Sequence, residues 1–295
     1  MAPQPGGRHP HVPARAIVSD PARNGAAVPS ELDVVRADLI GEQNALDDIV
    51  AAISDDQWLT ATPSPGWNVA DQIGHLAYFD GTAANAVLDP DGFRAGMDEL
   101  FVGAVARGVD EFTLGAFRAL SPGQQLAAWR HNRVVLAEAA KTLRDGTRVE
   151  WYGPSMGAKS FLTARLMEVW AHGTDIVDAL HAERPSTDRI RHIAQLGFIT
   201  RKWSYTVRGE TPPAGDVRLE LTSPSGQLWT WGPDAADDTI RGPAEDFCLV
   251  VTQRRHVDDT SLETGELGRH WLLRAQAFAG GPSDGPKPRS ADEPR

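Results

Sequence analysis

The sequence predicts a mainly helical protein in which a helical bundle, residues 31–209, precedes a small α+β unit, residues 216–280. Two observations support this prediction. Apolar residues recur with the period of an α-helix in several long segments before Gly209, whereas they alternate with polar residues from Asp216 onward. The linker between the two regions contains Pro212 and Pro213, which interrupt regular structure. We therefore expect two units with different secondary structure.

Capping residues mark the first helices of the predicted bundle. A helix is predicted over residues 31–53, and the loop TATPSPGWN follows it. Asn68 is the predicted N-cap of the helix VADQIGHLAYFDGTAANAVL, because Asp71 then lies in its first turn. Residues 93–120 have weak periodicity and predict one broken helix. The Ser-Pro pair at 121–122 predicts the start of a helix that extends through residue 143.

The later elements follow a turn-rich connection, RDGTRVEWYGPSMG. Helices are predicted over residues 162–180 and 188–207. The segment VRLELTSPSGQLWTW alternates apolar and polar residues around Ser-Pro-Ser-Gly, which indicates a β-hairpin. Two further helices are predicted over residues 244–257 and 265–279. The composition of residues 1–30 predicts a flexible leader, and that of residues 281–295 predicts a disordered tail.

Composition and charge exclude several classes of function. The net charge of −11 disfavours an extended nucleic-acid surface, which needs clustered Lys and Arg. No apolar run approaches the length of a membrane span, and the N-terminus lacks the apolar core of a signal peptide. Cys248 is the single cysteine, so no intrachain disulfide forms, which fits a cytoplasmic location. We expect a small-molecule partner and neither a nucleic-acid nor a membrane partner, while the oligomeric state stays open.

The helix LTARLMEVWAHGTDIVDAL carries two separated polar stripes. Glu168, His172 and Asp175 stack within roughly 60° of one another and Arg165 borders them, by the 100° rotation per residue. A second stripe that includes Asp178 lies about a third of a turn or more away. A surface helix needs one polar face for water, so one of these stripes lacks an obvious solvent role.

Glu168 and His172 are spaced so that one helix can hold a metal ion with both side chains. The histidine His75, on another helix, is the candidate third ligand. Asp71 precedes His75 by one turn, and Asp175 follows His172, so we expect both carboxylates to orient the imidazoles. The alternative is that these are ordinary core or solvated residues, because the spacing also occurs by chance. Against it, burying the carboxylates unpaired would cost several kcal/mol, which a cation would offset.

The segment PGWNVADQIGHL resembles the part of the DinB-like metalloprotein superfamily that supplies its first histidine ligand. The segment RLMEVWAHGTDI resembles the Glu-x-x-x-His helix of the mycothiol-dependent maleylpyruvate isomerase branch. This resemblance covers most of residues 31–209 and implies a DinB-like four-helix bundle with His75, Glu168 and His172 as metal ligands. The segment GPAEDFCLVVTQRRHVDDTSL is similar to the small appended domain of an actinobacterial subgroup, and the Ala, Gly and Arg content is compatible with a high-GC actinobacterial gene.

Two nitrogens and one carboxylate oxygen suit Zn²⁺ with open coordination positions, although the same set also accepts Fe, Ni or Co. The resemblance implies mycothiol as the co-substrate, because in thiol-using relatives the metal lowers the pKa of a bound thiol. Arg254 and Arg255, next to His256, form the most concentrated basic cluster of the small unit. Either this cluster is an exposed helix end, or one arginine binds a substrate carboxylate in a cleft between the units. Relatives with maleylpyruvate activity use an arginine of their C-terminal domain, which supports the second interpretation.

The leading hypothesis is a metal-dependent transferase or isomerase that acts on a small organic molecule, either transferring a low-molecular-weight thiol or isomerising its adduct. A second hypothesis keeps the metal without the thiol, as in a tailoring lyase, hydrolase or cyclase of secondary metabolism. A third is a non-catalytic bundle that binds a metal or a ligand. Dependence of turnover on a thiol separates the first two, and tight ligand binding without turnover favours the third.

Overall fold

The computed structural model describes residues 29–290, which contain ten α-helices and two small β-sheets. The predicted leader falls almost entirely on residues 1–28 and lies outside the described residues. The helices are α1 (Glu31–Val50), α2 (Val69–Leu88), α3 (Pro90–Arg107), α4 (Val109–Arg118), α5 (Pro122–Ala140), α6 (Ala158–Leu180), α7 (Arg191–Ile199), α8 (Arg201–Thr206), α9 (Ala244–Val251) and α10 (Glu266–Leu272). The strands are β1 (Arg148–Trp151), β2 (Gly153–Gly157), β3 (Val217–Thr222), β4 (Leu228–Trp231) and β5 (Asp238–Pro243).

Four long helices form the bundle. Helix α2 packs against α5 and α6, and α1 packs against the same two helices, so the four close a ring. Their inward side chains are fully buried, including Leu46 of α1, Ile73 of α2, Trp129 of α5 and Leu166 of α6. Burial of each such side chain contributes roughly 1.5–3 kcal/mol. The mainly helical fold class with a four-helix bundle is confirmed.

Side-chain caps fix where these helices begin. Asn68 Oδ1 accepts a hydrogen bond from the Asp71 backbone N–H at 2.9 Å, and Asp71 reaches back to the Asn68 N–H at 3.3 Å. Ser121 and Gln124 form the equivalent capping box before α5. The predicted N-caps Asn68 and Ser121 are confirmed. These caps set the rotation at which α2 and α5 present their side chains to the bundle.

Several helices are shorter than their apolar patterns predict. Gly108, with a φ of 89°, separates α3 from α4 within the predicted broken helix. The predicted helix over residues 188–207 is divided at Thr200 into α7 and α8. The helices predicted over residues 244–257 and 265–279 end early, at Val251 and Leu272. At the end of α9, Gln253 takes a left-handed φ of 59° and the Arg254 N–H donates a hydrogen bond to Leu249 O, which caps the C-terminus of this helix.

A β-hairpin occupies the connection that the sequence predicts only as turns. Strands β1 and β2 pair in an antiparallel way between α5 and α6. Trp151 of this hairpin stacks on Phe93 of α3, with ring centroids 5.6 Å apart. The alternation of apolar and polar residues did not predict this hairpin because each strand is only four or five residues long. The hairpin holds Trp151 and Tyr152 beside α6.

The C-terminal unit is a three-stranded sheet covered by helices. The predicted hairpin is confirmed as β3 and β4, and β5 adds in parallel on the other side of β3, giving the order β4-β3-β5. Helix α9 packs on β3 and β5, and its Cys248 is fully buried. Helix α7 contacts both α6 and α9, so it joins the bundle to this unit. Because α7 contacts both regions, the division of the chain into two units between residues 209 and 216 stays a proposal.

The described part of the predicted tail contacts the rest of the chain. Arg208 Nη1 donates to Asp284 Oδ1 at 2.7 Å, and the Arg289 backbone N–H lies 3.1 Å from both carboxylate oxygens of Asp259. Among the helices of residues 29–290, none combines the length and the hydropathy that crossing a membrane requires.

Candidate metal centre and adjoining cavity

Three side chains from two neighbouring helices converge in the bundle. Helix α2 carries His75, and α6 carries Glu168 and His172 one turn apart. One candidate ligand atom from each residue lies within 4.8 Å of the other two. The Nε2 atoms of His75 and His172 lie 3.2 and 3.1 Å from the same carboxylate oxygen, Glu168 Oε2. The structure thus brings together the three residues that the sequence selects as metal ligands.

Aromatic rings enclose this cluster. The ring of Trp67 lies 5.3 Å from that of His75 and 5.9 Å from that of His172, and the Phe79 ring lies 4.6 Å from His75. Burial, together with the electrostatic effect of the neighbouring His172, lowers the pKa of His75 to about 3. His75 is therefore neutral at pH 7, which is the protonation state in which an imidazole nitrogen binds a metal.

Glu168 is ionised despite its burial. Burial acts to raise the pKa of Glu168, but the imidazoles of His172 and His75, whose Nε2 atoms face Glu168 Oε2, outweigh it and hold that pKa well below its usual value. A partly buried carboxylate with two imidazoles in front of it concentrates one negative charge where water screens it less than at the surface. This arrangement favours a cation among the three side chains.

Gln72 determines which nitrogen of His172 carries its proton. Gln72 is fully buried, and its Nε2 donates to Thr62 Oγ1 at 2.9 Å and lies 3.4 Å from Asp175 Oδ2. Because a carboxylate only accepts, the amide nitrogen must face Asp175 and the amide oxygen must face His172 Nδ1. In the neutral ring, Nδ1 then holds the proton and Nε2 presents its lone pair to Glu168. A lone pair beside a carboxylate oxygen is repulsive unless a cation lies between them, so the donor set fits a divalent metal.

The two carboxylates that the sequence predicts next to the imidazoles lie elsewhere. Asp71 accepts a hydrogen bond from Arg118 Nε at 2.8 Å and makes none with His75. Asp175 reaches His172 only through Gln72. The sequence interpretation missed Gln72, although its position three residues before His75 places both on one face of α2.

Arg254 and Arg255 both bind carboxylates of α6. Arg254 Nε and Nη2 donate to the two carboxylate oxygens of Asp175 at 3.1 and 2.9 Å. Arg255 Nη1 and Nη2 donate to those of Asp178 at 2.7 and 2.8 Å. Forked pairs of this kind fix orientation as well as charge. Asp178 of the second polar stripe therefore faces the C-terminal unit. A role of these arginines in binding substrate stays a prediction.

A cavity of about 500 Å³ adjoins the cluster. Glu168 and Arg165 of α6 form part of its wall, and the rest comes from the β1–β2 hairpin, α7, α8 and the segment after α10. Arg165 is only 3% exposed, and its Nε and Nη2 donate to Asp80 Oδ1 at 3.1 and 2.9 Å. The cavity thus lies between the bundle and the C-terminal unit, and it is lined by Arg165 rather than by Arg254 or Arg255.

The chain is similar to proteins of one family along most of its length. A family model described as the mycothiol maleylpyruvate isomerase N-terminal domain matches residues 41–177. An uncharacterized protein of Mycobacterium tuberculosis strain ATCC 25618/H37Rv is 45% identical over 252 residues, which cover 84% of this chain and 96% of the relative. An uncharacterized protein of strain CDC 1551/Oshkosh matches with the same values.

Two solved structures share the fold. The crystal structure of the mycothiol-dependent maleylpyruvate isomerase superposes with a TM-score of 0.53 at 18% identity, covering 80% of this chain and 93% of that one. A mutant of that isomerase superposes with a TM-score of 0.54 at 17% identity and the same coverage. Because the family match spans α2 and most of α6, it includes all three converging side chains. The chain belongs to the mycothiol maleylpyruvate isomerase family.

Proposed function

We propose that this protein is a metal-dependent enzyme that uses mycothiol to transfer a thiol to a small organic molecule or to isomerise it. One observation carries the proposal. The Nε2 atoms of His75 and His172 lie 3.2 and 3.1 Å from one carboxylate oxygen of Glu168, and the amide oxygen of Gln72 faces His172 Nδ1. Family membership supports the use of a thiol as co-substrate, because the description of the matching family names mycothiol.

His75, Glu168 and His172 would hold the metal, and Zn²⁺ suits two imidazole nitrogens and one carboxylate. When bound there, it would lower the pKa of a coordinated thiol and supply a thiolate at neutral pH. The protein's own groups prepare the site. Gln72 orients His172, and the rings of Trp67 and Phe79 pack against the imidazoles.

The two reaction types differ in the fate of one bond. In transfer, the thiol adds across a carbon–carbon double bond, so that its sulfur bonds to one carbon, its proton goes to the other, and both stay in the product. In isomerisation the sulfur bonds to one carbon of the double bond, the resulting single bond rotates, and the carbon–sulfur bond breaks again to restore the double bond and return the thiol unchanged. Both reactions need the organic molecule next to the cluster, where the cavity beside Glu168 offers about 500 Å³. A cytoplasmic location, where thiols stay reduced, is part of this proposal.

The test combines metal analysis with turnover of unsaturated carboxylates, maleylpyruvate among them, by the full-length protein. We expect the purified protein to hold about one metal ion per chain and to turn over only when mycothiol is present. His172→Ala should lose both the metal and the activity, whereas His131→Ala, at an exposed position of α5, should retain both. Metal content of His172→Ala equal to that of the wild type would place the site elsewhere.

Two results would favour other functions. Turnover of a substrate by the metal-loaded protein without any thiol would identify a thiol-independent lyase, hydrolase or cyclase. Tight ligand binding with no turnover under any metal would identify a non-catalytic binding protein. The same two preparations, loaded with metal and stripped of it, distinguish all three functions.

A further inference from the structure

The cavity beside Glu168 has an apolar, aromatic lining. The β1–β2 hairpin supplies Trp151 and Tyr152, α6 supplies Phe161, α8 supplies Trp203, and the segment after α10 supplies Phe278. Few polar side chains reach the wall, and these are Ser155, Thr200, Arg165 and Glu168. Pockets of roughly 300–1,000 Å³ hold small organic ligands, so 500 Å³ suffices for a molecule of two fused rings.

Mycothiol itself does not suit this lining. A thiol carried on a sugar and an inositol brings many hydroxyl groups, and each buried hydroxyl needs a hydrogen-bond partner. A wall of tryptophan, tyrosine and phenylalanine offers mainly ring faces, which pack against a flat apolar body. The cavity therefore fits the organic substrate better than it fits the thiol.

One cationic group in the cavity wall keeps unused hydrogen-bonding capacity. Arg165 directs Nε and Nη2 to Asp80 Oδ1, while Nη1 has no hydrogen-bond partner among the described residues. Asp80 is already satisfied on its other oxygen, which accepts from Gln43 at 3.0 Å and from Trp129 at 3.2 Å. The Asp80 contacts hold the guanidinium in place, and its Cζ lies 6.0 Å from the Phe79 ring centroid. Nη1 is thus the nitrogen of this guanidinium that is left without a protein partner among the described residues, on a residue that lines the cavity.

We infer that the substrate of the proposed reaction, on which this inference rests, is an apolar carboxylate whose carboxylate binds Arg165 Nη1. Its flat or branched hydrocarbon body lies against Trp151, Trp203 and Phe278. Glu168 also lines the cavity and repels an anion, so the carboxylate lies at the Arg165 side. Arg165 is a binding residue under this inference, whereas Arg254 and Arg255, which pair with Asp175 and Asp178, do not line this cavity.

Binding of two matched probes tests the inference on the full-length protein. 2-Naphthoate and 2-naphthamide have the same ring system and differ in charge. We expect 2-naphthoate to bind about tenfold or more tightly than 2-naphthamide in titration calorimetry, as a hydrogen bond to a charged group gives. Arg165→Lys keeps a cation beside Asp80 but loses the fork, and it should reduce that preference to about twofold. Arg184→Lys, at a half-buried arginine that binds Glu42, should keep the full preference.

Two further variants show whether a lost preference comes from misfolding and whether the probes bind in this cavity. Asp80→Asn combined with Arg165→Gln removes both buried charges together, so neither is left unpaired, and it should also lose the preference. Ala164→Leu fills part of the cavity and should weaken binding of both probes. Unchanged binding to Ala164→Leu, or a full preference in Arg165→Lys, would overturn the inference.

The titrations are repeated with EDTA, because a carboxylate also binds metal ions. A preference that survives EDTA supports Arg165 as the anion donor. A preference that disappears with EDTA assigns the anion to the metal and overturns the inference while leaving the proposed metal centre intact. Preserved binding without turnover would do the opposite, since it would remove the proposed function and leave the carboxylate site in place.

Discussion

Gln72→Leu is the sharpest test of how the cluster is organised. Leucine has a similar volume, but it cannot accept the hydrogen bond from His172 Nδ1. The imidazole would then be free to carry its proton on Nε2, the atom that faces Glu168. We therefore expect the variant to bind Zn²⁺ more weakly while all three ligand residues remain.

The magnitude follows from the contacts that the substitution removes. Loss of a hydrogen-bond partner of a metal-binding histidine weakens metal affinity by about 10- to 100-fold, or about 1.4–2.7 kcal/mol. The cost to folding is smaller. Thr62 Oγ1 still donates to Trp67 O at 3.0 Å, and Asp175 still accepts from Ser64 and Arg254, so no buried group near the site loses its last partner except the ring N–H. We expect the free energy of unfolding to fall by about 1–2 kcal/mol.

Competition with a chromogenic chelator measures the affinity, and urea unfolding of the metal-free protein measures the stability. Gln125→Leu is the matched control, because Gln125 is also buried and makes one hydrogen bond, to Phe117 O, outside the cluster. The control should lose stability to a similar degree and keep its Zn²⁺ affinity. A Gln72→Leu protein that binds Zn²⁺ within about twofold of the wild type would refute the assigned orientation of His172.

Glu168→Gln should retain less than a tenth of the wild-type metal after dialysis, measured by elemental analysis, because an amide replaces the anionic ligand; full retention would argue against the centre. Arg254→Met should lower the free energy of unfolding by about 3 kcal/mol, since it leaves a buried carboxylate without its cation, whereas Arg255→Met should cost about 1 kcal/mol at a more exposed pair. Equal losses in urea unfolding would contradict this difference. Burial acts to raise the pKa of Asp238, but backbone N–H donors such as Gly268 outweigh it and lower that pKa below 3.8. The ionised Asp238 carboxylate therefore stabilises the fold above pH 3.8, and this stabilisation is lost as the pH falls through the lowered folded-state pKa. Asp238→Asn should therefore be less stable than the wild type at pH 7 and approach it at pH 3 in urea unfolding, and a constant difference would refute the linkage.

Local sequence signals predicted the bundle helices and the three converging side chains. The N-cap at Asn68 begins α2 at the predicted residue, because capping depends on a few neighbouring residues. Spacing on a single helix placed Glu168 and His172 on one face of α6, since helical geometry needs no tertiary information. The family resemblance carried by the two motifs supplied the pairing of His75 with that face.

The periodicity of apolar residues did not predict the elements whose ends depend on contacts with residues distant in the sequence. The β1–β2 hairpin is short, and Trp151 finds its partner Phe93 more than fifty residues earlier in the chain. Helix α9 ends at Val251 because Gln253 takes a left-handed conformation, which an apolar pattern running on toward Val257 conceals. The parallel pairing of β5 with β3 likewise joins segments that no turn connects directly.

The sequence by itself determined the helical bundle, its caps and the common face of Glu168 and His172 on α6, because each depends on periodicity or on neighbours within a few positions. Only the tertiary structure decided which partner each polar group takes. It placed Gln72 rather than Asp175 against His172 and paired Arg254 with Asp175. It also left Arg165 Nη1 beside an aromatic cavity. These choices bring together side chains from α2, α6 and the C-terminal unit, and their distances are fixed by packing between elements rather than by spacing along the chain.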